Sequence, residues 1–176
     1  MKKLKKMTLA NRCSLHELAV GMQPLGAIDL AAMIGGLHEQ LSISGGVLEN
    51  VEGGVLFTGN DGSTCLFEGA TFVAGGSLPG SAYQMSGTIH ISYDWLNDKK
   101  YPFNVNNFAH EFGHYLQQQE MGLGSYLVDV AAPSGYDMAL RYVGCNPGYA
   151  HNELPYEKDA DDRGKKYMEE HMKKPK

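Results

Sequence analysis

Two histidines four residues apart, with a glutamate beside the first, constrain this chain more than any other feature. His110-Glu111-Phe112-Gly113-His114 reads H-E-x-x-H. On a helix, residues i and i+4 share a face, so both imidazoles can reach one cation. Glu111 stands about 100° round the helix from His110, off the ligand face. A carboxylate there is placed to take a proton from a water on the metal. The alternative is a pair of surface histidines flanking a salt-bridging glutamate.

The neighbouring residues predict the helix that this motif needs. Phe108, Ala109, Phe112, Leu116 and Met121 recur at helical spacing. Asn104 is placed to cap the start and Gly122 to stop the end. Gly113 is a poor helix residue, costing about 1 kcal/mol against Ala. Its presence fits a backbone or substrate passing close by; simple tolerance is the other reading.

Two histidines do not hold a catalytic zinc, which usually takes three protein ligands and a water. The compact pattern H-E-x-x-H-x-x-G-x-x-H would need Gly at position 117 and His at position 120. The chain has Gln117 and Glu120 there, so that pattern fails. A Glu on a later helix, often with an Asp one turn on, is the other common source. Glu157-Lys158-Asp159-Ala160-Asp161 supplies it, on a helix that Pro155 can open. Glu157 is the expected third ligand. Asp161 is expected to accept the far N–H of a ligating histidine and fix its tautomer. Glu153, His151 and Asp161 are the competing ligands, and Glu157 has the plainer reading of an acid in a first helical turn.

His110–His114 followed by Glu157 and Asp161 resembles the gluzincin branch of zinc metallopeptidases. H-E-F-G-H-Y-L-Q followed by an E-K-x-A-D helix is similar, more closely, to small bacterial metallopeptidases that are little characterised. The resemblance covers roughly residues 87–168. It implies a zincin-like fold, a bound Zn2+ and hydrolysis of a peptide or protein substrate. The separation of His114 from Glu157 is longer than in the thermolysin-like members.

Zinc peptidases also need a donor for the oxyanion that develops on the attacked carbonyl. Arg141, Tyr142, Tyr149, His151 and Tyr156 cluster near the expected ligand, with Tyr156 and His151 nearest in sequence. Half-buried loop aromatics are the plainer reading of each. His90 sits in a strand-like run and reads as a cross-strand partner. His16, His38 and His171 have no supporting pattern.

A chain of 176 residues is one domain by length, large enough for a sizeable core. The net charge of −5 leaves no nucleic-acid footprint. No apolar run approaches the length of a membrane span.

The N-terminus has its own pattern. Met1–Lys6 is charged like the start of a secretory signal, but His16, Glu17, Gln23, Pro24 and Asp29 interrupt what should be its apolar core. Leu25, Asp29, Leu30, Met33, Gly35 and Gly36 instead resemble a double-glycine leader. That resemblance implies cleavage after Gly36 by a peptidase-containing export transporter, and a periplasmic or extracellular product starting at Leu37. An amphipathic helix would dock, and the side-chain-free glycines would enter a narrow cleft. An ordinary helix closed by a glycine cap is the alternative, and it leaves the protein in the cytoplasm. Loss of residues 1–36 removes five basic and two acidic residues, leaving a more acidic domain over 37–176.

Three cysteines and no C-x-x-C argue against a thiolate zinc site. Cys65 and Cys145 remain after leader removal, as a candidate pair in an oxidising compartment or as two small buried residues.

Between leader and motif the chain reads as β. Val47–Val51, Val55–Thr58, Thr64–Phe67, Thr71–Ala74 and Gly87–Tyr93 are strand-like runs. Gly59-Asn60-Asp61-Gly62 is a hairpin turn. After the motif, Gly122–Pro155 reads as loop-rich, with Pro133-Ser134-Gly135 as a turn. A final helix is expected over Pro155–Met172, then a solvated lysine tail.

The whole predicts an α+β, zincin-like domain: a small, mostly antiparallel sheet, an active-site helix and a C-terminal helix bringing the third ligand. The expected activity is zinc-dependent peptide hydrolysis, with Glu111 as the base. Its rivals are a catalytically inactive binding module on the same fold and an exported effector acting through its surface. An intact Glu111 argues against the former, because a structural metal needs no base.

Overall fold

The computed structural model describes residues 40–77, 79–145 and 148–175. The leader reading of residues 1–36 lies outside these described residues. The fold is α+β, as expected, but the strands form two sheets where one was expected. Strands β1 (Gln40–Ile43), β2 (Gly46–Val51), β3 (Gly54–Gly59) and β4 (Thr64–Glu68) make an antiparallel meander. Strands β5 (Thr71–Ala74), β6 (Ala82–Met85) and β7 (Thr88–Ile91) make a smaller sheet in the order β5-β7-β6. Its β5–β7 pair is parallel and its β6–β7 pair antiparallel. Strands β1 and β6 escaped the sequence reading because each holds a single β-branched or aromatic residue, where β5, equally short, holds three.

Alternation aims one face of each strand inward. Leu48 on β2, Val55 and Phe57 on β3, and Cys65 and Phe67 on β4 are buried, as are Phe72 on β5 and Ile89 and Ile91 on β7. The chain turns from β3 to β4 at Gly59–Gly62, where Gly62 has φ of +82°. His90 stacks on Tyr83, its register partner on β6, with ring centroids 4.6 Å apart. It is a cross-strand residue.

Strand β7 is shorter than expected because Ser92 leaves it to cap a helical turn, α1 (Tyr93–Leu96). Helix α2 (Val105–Met121) follows. Asn104 caps it with a reciprocal box to Asn107, and Gly122 ends it at φ +80°. Phe108, Ala109 and Phe112 of α2 enter the core. Helix α5 (Pro155–His171) opens with Pro155 in its first turn and packs along α2. Phe67 joins sheet to helices: its ring meets Phe108 and Phe112 edge-on at 5.0 and 5.1 Å and stacks on Tyr167 of α5 at 5.9 Å.

The segment expected as loop is largely helical. It holds α3 (Leu123–Tyr126), a π turn (Leu127–Ala131), α4 (Ala132–Tyr142) and a 3-10 turn (His151–Glu153). Pro133 does not end the run: it is the second residue of α4 and directly follows the π turn Leu127–Ala131, the kind of local widening at which a helix accommodates an interrupted ladder. Lys173 and Lys174 are exposed, as expected of a solvated tail, and the Lys173 backbone bonds both ways with Thr64 at 2.8 and 2.9 Å. Cys65 is a free thiol, 1% exposed, so it makes no bond to Cys145. Burial pushes its pKa up to about 11.

Candidate metal centre

The site begins with how closely two helices approach. A Cβ on Gly113 of α2 would collide with the carbonyl of Ala160 on α5, and one on Gly164 of α5 with the carbonyl of Ala109 on α2. Two glycine–alanine pairs one turn apart thus let the antiparallel backbones touch. Of the two readings of Gly113, close approach of another backbone is the one that holds. Helix α5 is thereby brought close enough for its short first-turn acid to reach across.

Glu157 does so. Its Oε2 lies 3.1 Å from His110 Nε2 and 3.1 Å from His114 Nε2. Among the described residues, His110, His114 and Glu157 form a cluster that could hold a metal ion, with ligand atoms all within 4.8 Å of one another. Ligands about 2.0–2.2 Å from a tetrahedral ion stand about 3.3 Å apart, so the spacing fits a small cation at the centre. Two neutral imidazole nitrogens and a carboxylate oxygen are also a donor set that zinc takes.

The far sides of both rings are occupied. His110 Nδ1 is 2.7 Å from Asp161 Oδ1. His114 Nδ1 is 2.8 Å from Gln117 Oε1. Both partners are acceptors here, so each Nδ1 carries the hydrogen and each Nε2 lone pair is left facing Glu157. Three electron-rich atoms therefore converge on one point. Without a cation, protons must fill it. Burial alone would lower the His110 pKa, but Glu157, Glu111 and Asp161 raise it to about 9. Glu157 moves the other way: burial opposes its charge, yet hydrogen bonds from His110 and His114 hold its carboxyl well below the usual range.

The other oxygen of Glu157 is also held. Ser134 Oγ on α4 donates to Oε1 at 2.7 Å, and His151 Nε2 lies 3.3 Å from it. His151 Nδ1 is 2.6 Å from Asp137 Oδ2, and Arg141 Nε donates to the same oxygen at 2.7 Å. Asp137 is 2% exposed. Burial would raise its pKa, but Arg141, His151 and Tyr149 bring it below the ordinary value.

Glu111 is 7% exposed, beside the imidazoles of His110 and His114. Burial raises its pKa, against the pull of His114 and His110. A cleft of about 310 Å³ opens beside the cluster, lined by Trp95, Asn106, Asn107, His110, His151, Asn152, Glu157 and Asp161. His151 thus sits at the cleft wall. Tyr156 does not line it; its backbone carbonyl accepts from Gln117. Burial and the Glu157 charge push the Tyr156 phenol up to about 12. Glu153 caps the turn before α5 by accepting from the Ala150 N–H, away from the cluster.

Sequence reasoning missed Gln117, Tyr126, Ser134 and Asp137. Tyr126 is 3% exposed, its ring 6.4 Å from that of His114. Burial, then Glu111 and Glu157, raise its pKa, so it stays a hydroxyl donor. Three of the four lie in the stretch read as loop. Gln117 offered one signal, an amide one turn beyond a ligating histidine.

No helix among the described residues is long and apolar enough to cross a membrane. No family model, curated protein or solved structure matches the chain.

Proposed function

We propose that this protein is a zinc-dependent peptidase with Glu111 as its general base. The convergence of His110 Nε2, His114 Nε2 and Glu157 Oε2, with both Nδ1 atoms tied outward, carries the reading. The gluzincin-like order of the same residues supports it. A zinc ion held there would supply a Lewis acid that polarises a carbonyl and makes water more acidic.

The chain's own groups do the rest. A peptide enters the cleft past Trp95 and Asn152. Side-chain amides of Asn106 and Asn152 can both donate to and accept from its backbone, and Asn107, whose oxygen caps α2, can donate. Glu111 accepts a proton from the attacking water on its carboxylate and delivers it to the leaving amine. Its raised pKa suits that exchange. Asp161 and Gln117 keep the Nε2 lone pairs of the ligands available. His151 and Tyr126 are the candidate donors to the oxyanion, His151 from the cleft wall and Tyr126 from beside His114. Tyr156, which does not line the cleft, is the weaker of the two candidates that the sequence suggested.

Glu111→Gln tests this. It replaces one carboxylate oxygen by an amide nitrogen and nearly keeps the volume. Zinc content should match wild type while casein hydrolysis falls by orders of magnitude. Equal hydrolysis by the variant removes Glu111 as the base. A zinc-loaded wild type that cleaves no peptide favours the binding-module reading.

A further inference from the structure

His114 and Glu157 belong to different helices, yet one side chain reaches the surroundings of both. Gln117 lies one turn after His114 and is 3% exposed. Its Oε1 is 2.8 Å from His114 Nδ1. Its Nε2 donates to the Tyr156 carbonyl and to Asp159 Oδ2, each at 2.8 Å. An amide nitrogen has two hydrogens, and both are used. The amide is thereby held in one orientation. Flipped, its oxygen would face two acceptors. The upright amide presents an acceptor to His114, so His114 must hold its hydrogen on Nδ1.

Asp159 is fixed in turn from outside. Arg163 Nε donates to the same Asp159 oxygen at 2.7 Å, and Arg163 Nη1 pairs with Glu120 back on α2. The path runs from His114 through Gln117, Asp159 and Arg163 and returns to α2 at Glu120, one turn beyond Gln117. The two ligand rings are therefore held by different chemistry. A carboxylate holds His110, and a neutral amide holds His114. A carboxylate adds basicity, whereas an amide sets direction without adding charge.

We propose that Gln117 is a positioning residue for the metal centre. It fixes the tautomer and rotation of His114. Through the Tyr156 carbonyl it also ties that ring to the residue before Glu157, so one amide registers two ligands from two helices. The inference rests on the metal reading of His110, His114 and Glu157, and on no particular substrate.

The test uses the full chain, zinc and Gln117→Leu. Zinc affinity is measured by chelator competition, and the ring N–H groups of His110 and His114 are followed by nitrogen-15 NMR. The variant should bind zinc about 10–100-fold more weakly. The slowly exchanging Nδ1–H of His114 should be lost while that of His110 persists. A general loosening of the fold would move both. Affinity within about twofold of wild type, with the His114 signal unchanged, overturns the proposal. If Gln117→Leu does not fold, Asp159→Ala reaches the same amide from a half-exposed position. It should speed exchange at His114 Nδ1 and weaken zinc; no change in either overturns the proposal. A wild type that takes up no zinc overturns the site reading and this inference together. A wild type that binds zinc no better than the variant overturns the inference alone.

Discussion

Gly113 and Ala160 touch across α2 and α5 so closely that a Cβ on the glycine would lie inside 3.0 Å of the Ala160 backbone. Ala109 and Gly164 repeat the contact one turn away. This double approach sets the distance at which Glu157 meets both histidines. Gly113→Ala should gain about 1 kcal/mol of helix propensity and still lose stability. Overpacking typically costs about 1–3 kcal/mol, and backbone on both sides leaves little room to yield. We expect the upper end of that range in urea denaturation, with weaker zinc binding. A stabilised variant that binds zinc normally would show that the helices are not in contact there.

Cys65 should leave a pH signature. Burial keeps its thiol protonated up to about 11 in the folded chain. An unfolded chain ionises it near its ordinary value of about 8.5. Between those two values the unfolded state has lost a proton that the folded state keeps, so stability falls as pH rises. The loss is at most about 1.4 kcal/mol per pH unit, and there is none below the ordinary value. Cys65→Ala removes this term. The stability gap between wild type and variant should therefore narrow from about pH 9 to about pH 11. Parallel stability–pH curves would contradict the burial of the thiol.

What the sequence made legible was local. The i, i+4 histidines, the Asn104 cap, the Gly122 stop and the Pro155 start all act within a turn or two of backbone. So does the Glu157–Asp161 pair, whose spacing puts both acids on one face of α5. What it hid was tertiary. Ser134 meets Glu157 across 23 positions, and Asp137 meets His151 across 14. Pro133-Ser134-Gly135 reads as a turn, and no local rule foretells that a π turn just before it carries the helix through. Gly113 could be singled out as costly, but its partner, Ala160, lies on another helix.

The leader reading calls for chemistry on the intact cell product. If Gly35-Gly36 is a cleavage signal, cells should release a chain beginning at Leu37. N-terminal sequencing of the exported protein settles the matter. An active, cytosolic protein that keeps its Met1 end would remove both the export transporter as a partner and the extracellular location.

The central claim is that His110, His114 and Glu157 share one metal ion. The most direct measurement is a crystal structure of zinc-loaded protein with anomalous data at the zinc edge. A single strong peak should lie about 2.0–2.2 Å from His110 Nε2, His114 Nε2 and Glu157 Oε2. Asp161 should remain on His110 Nδ1 and outside bonding distance of the ion. A peak elsewhere, or a zinc held by both histidines with Glu157 turned away, would contradict the account.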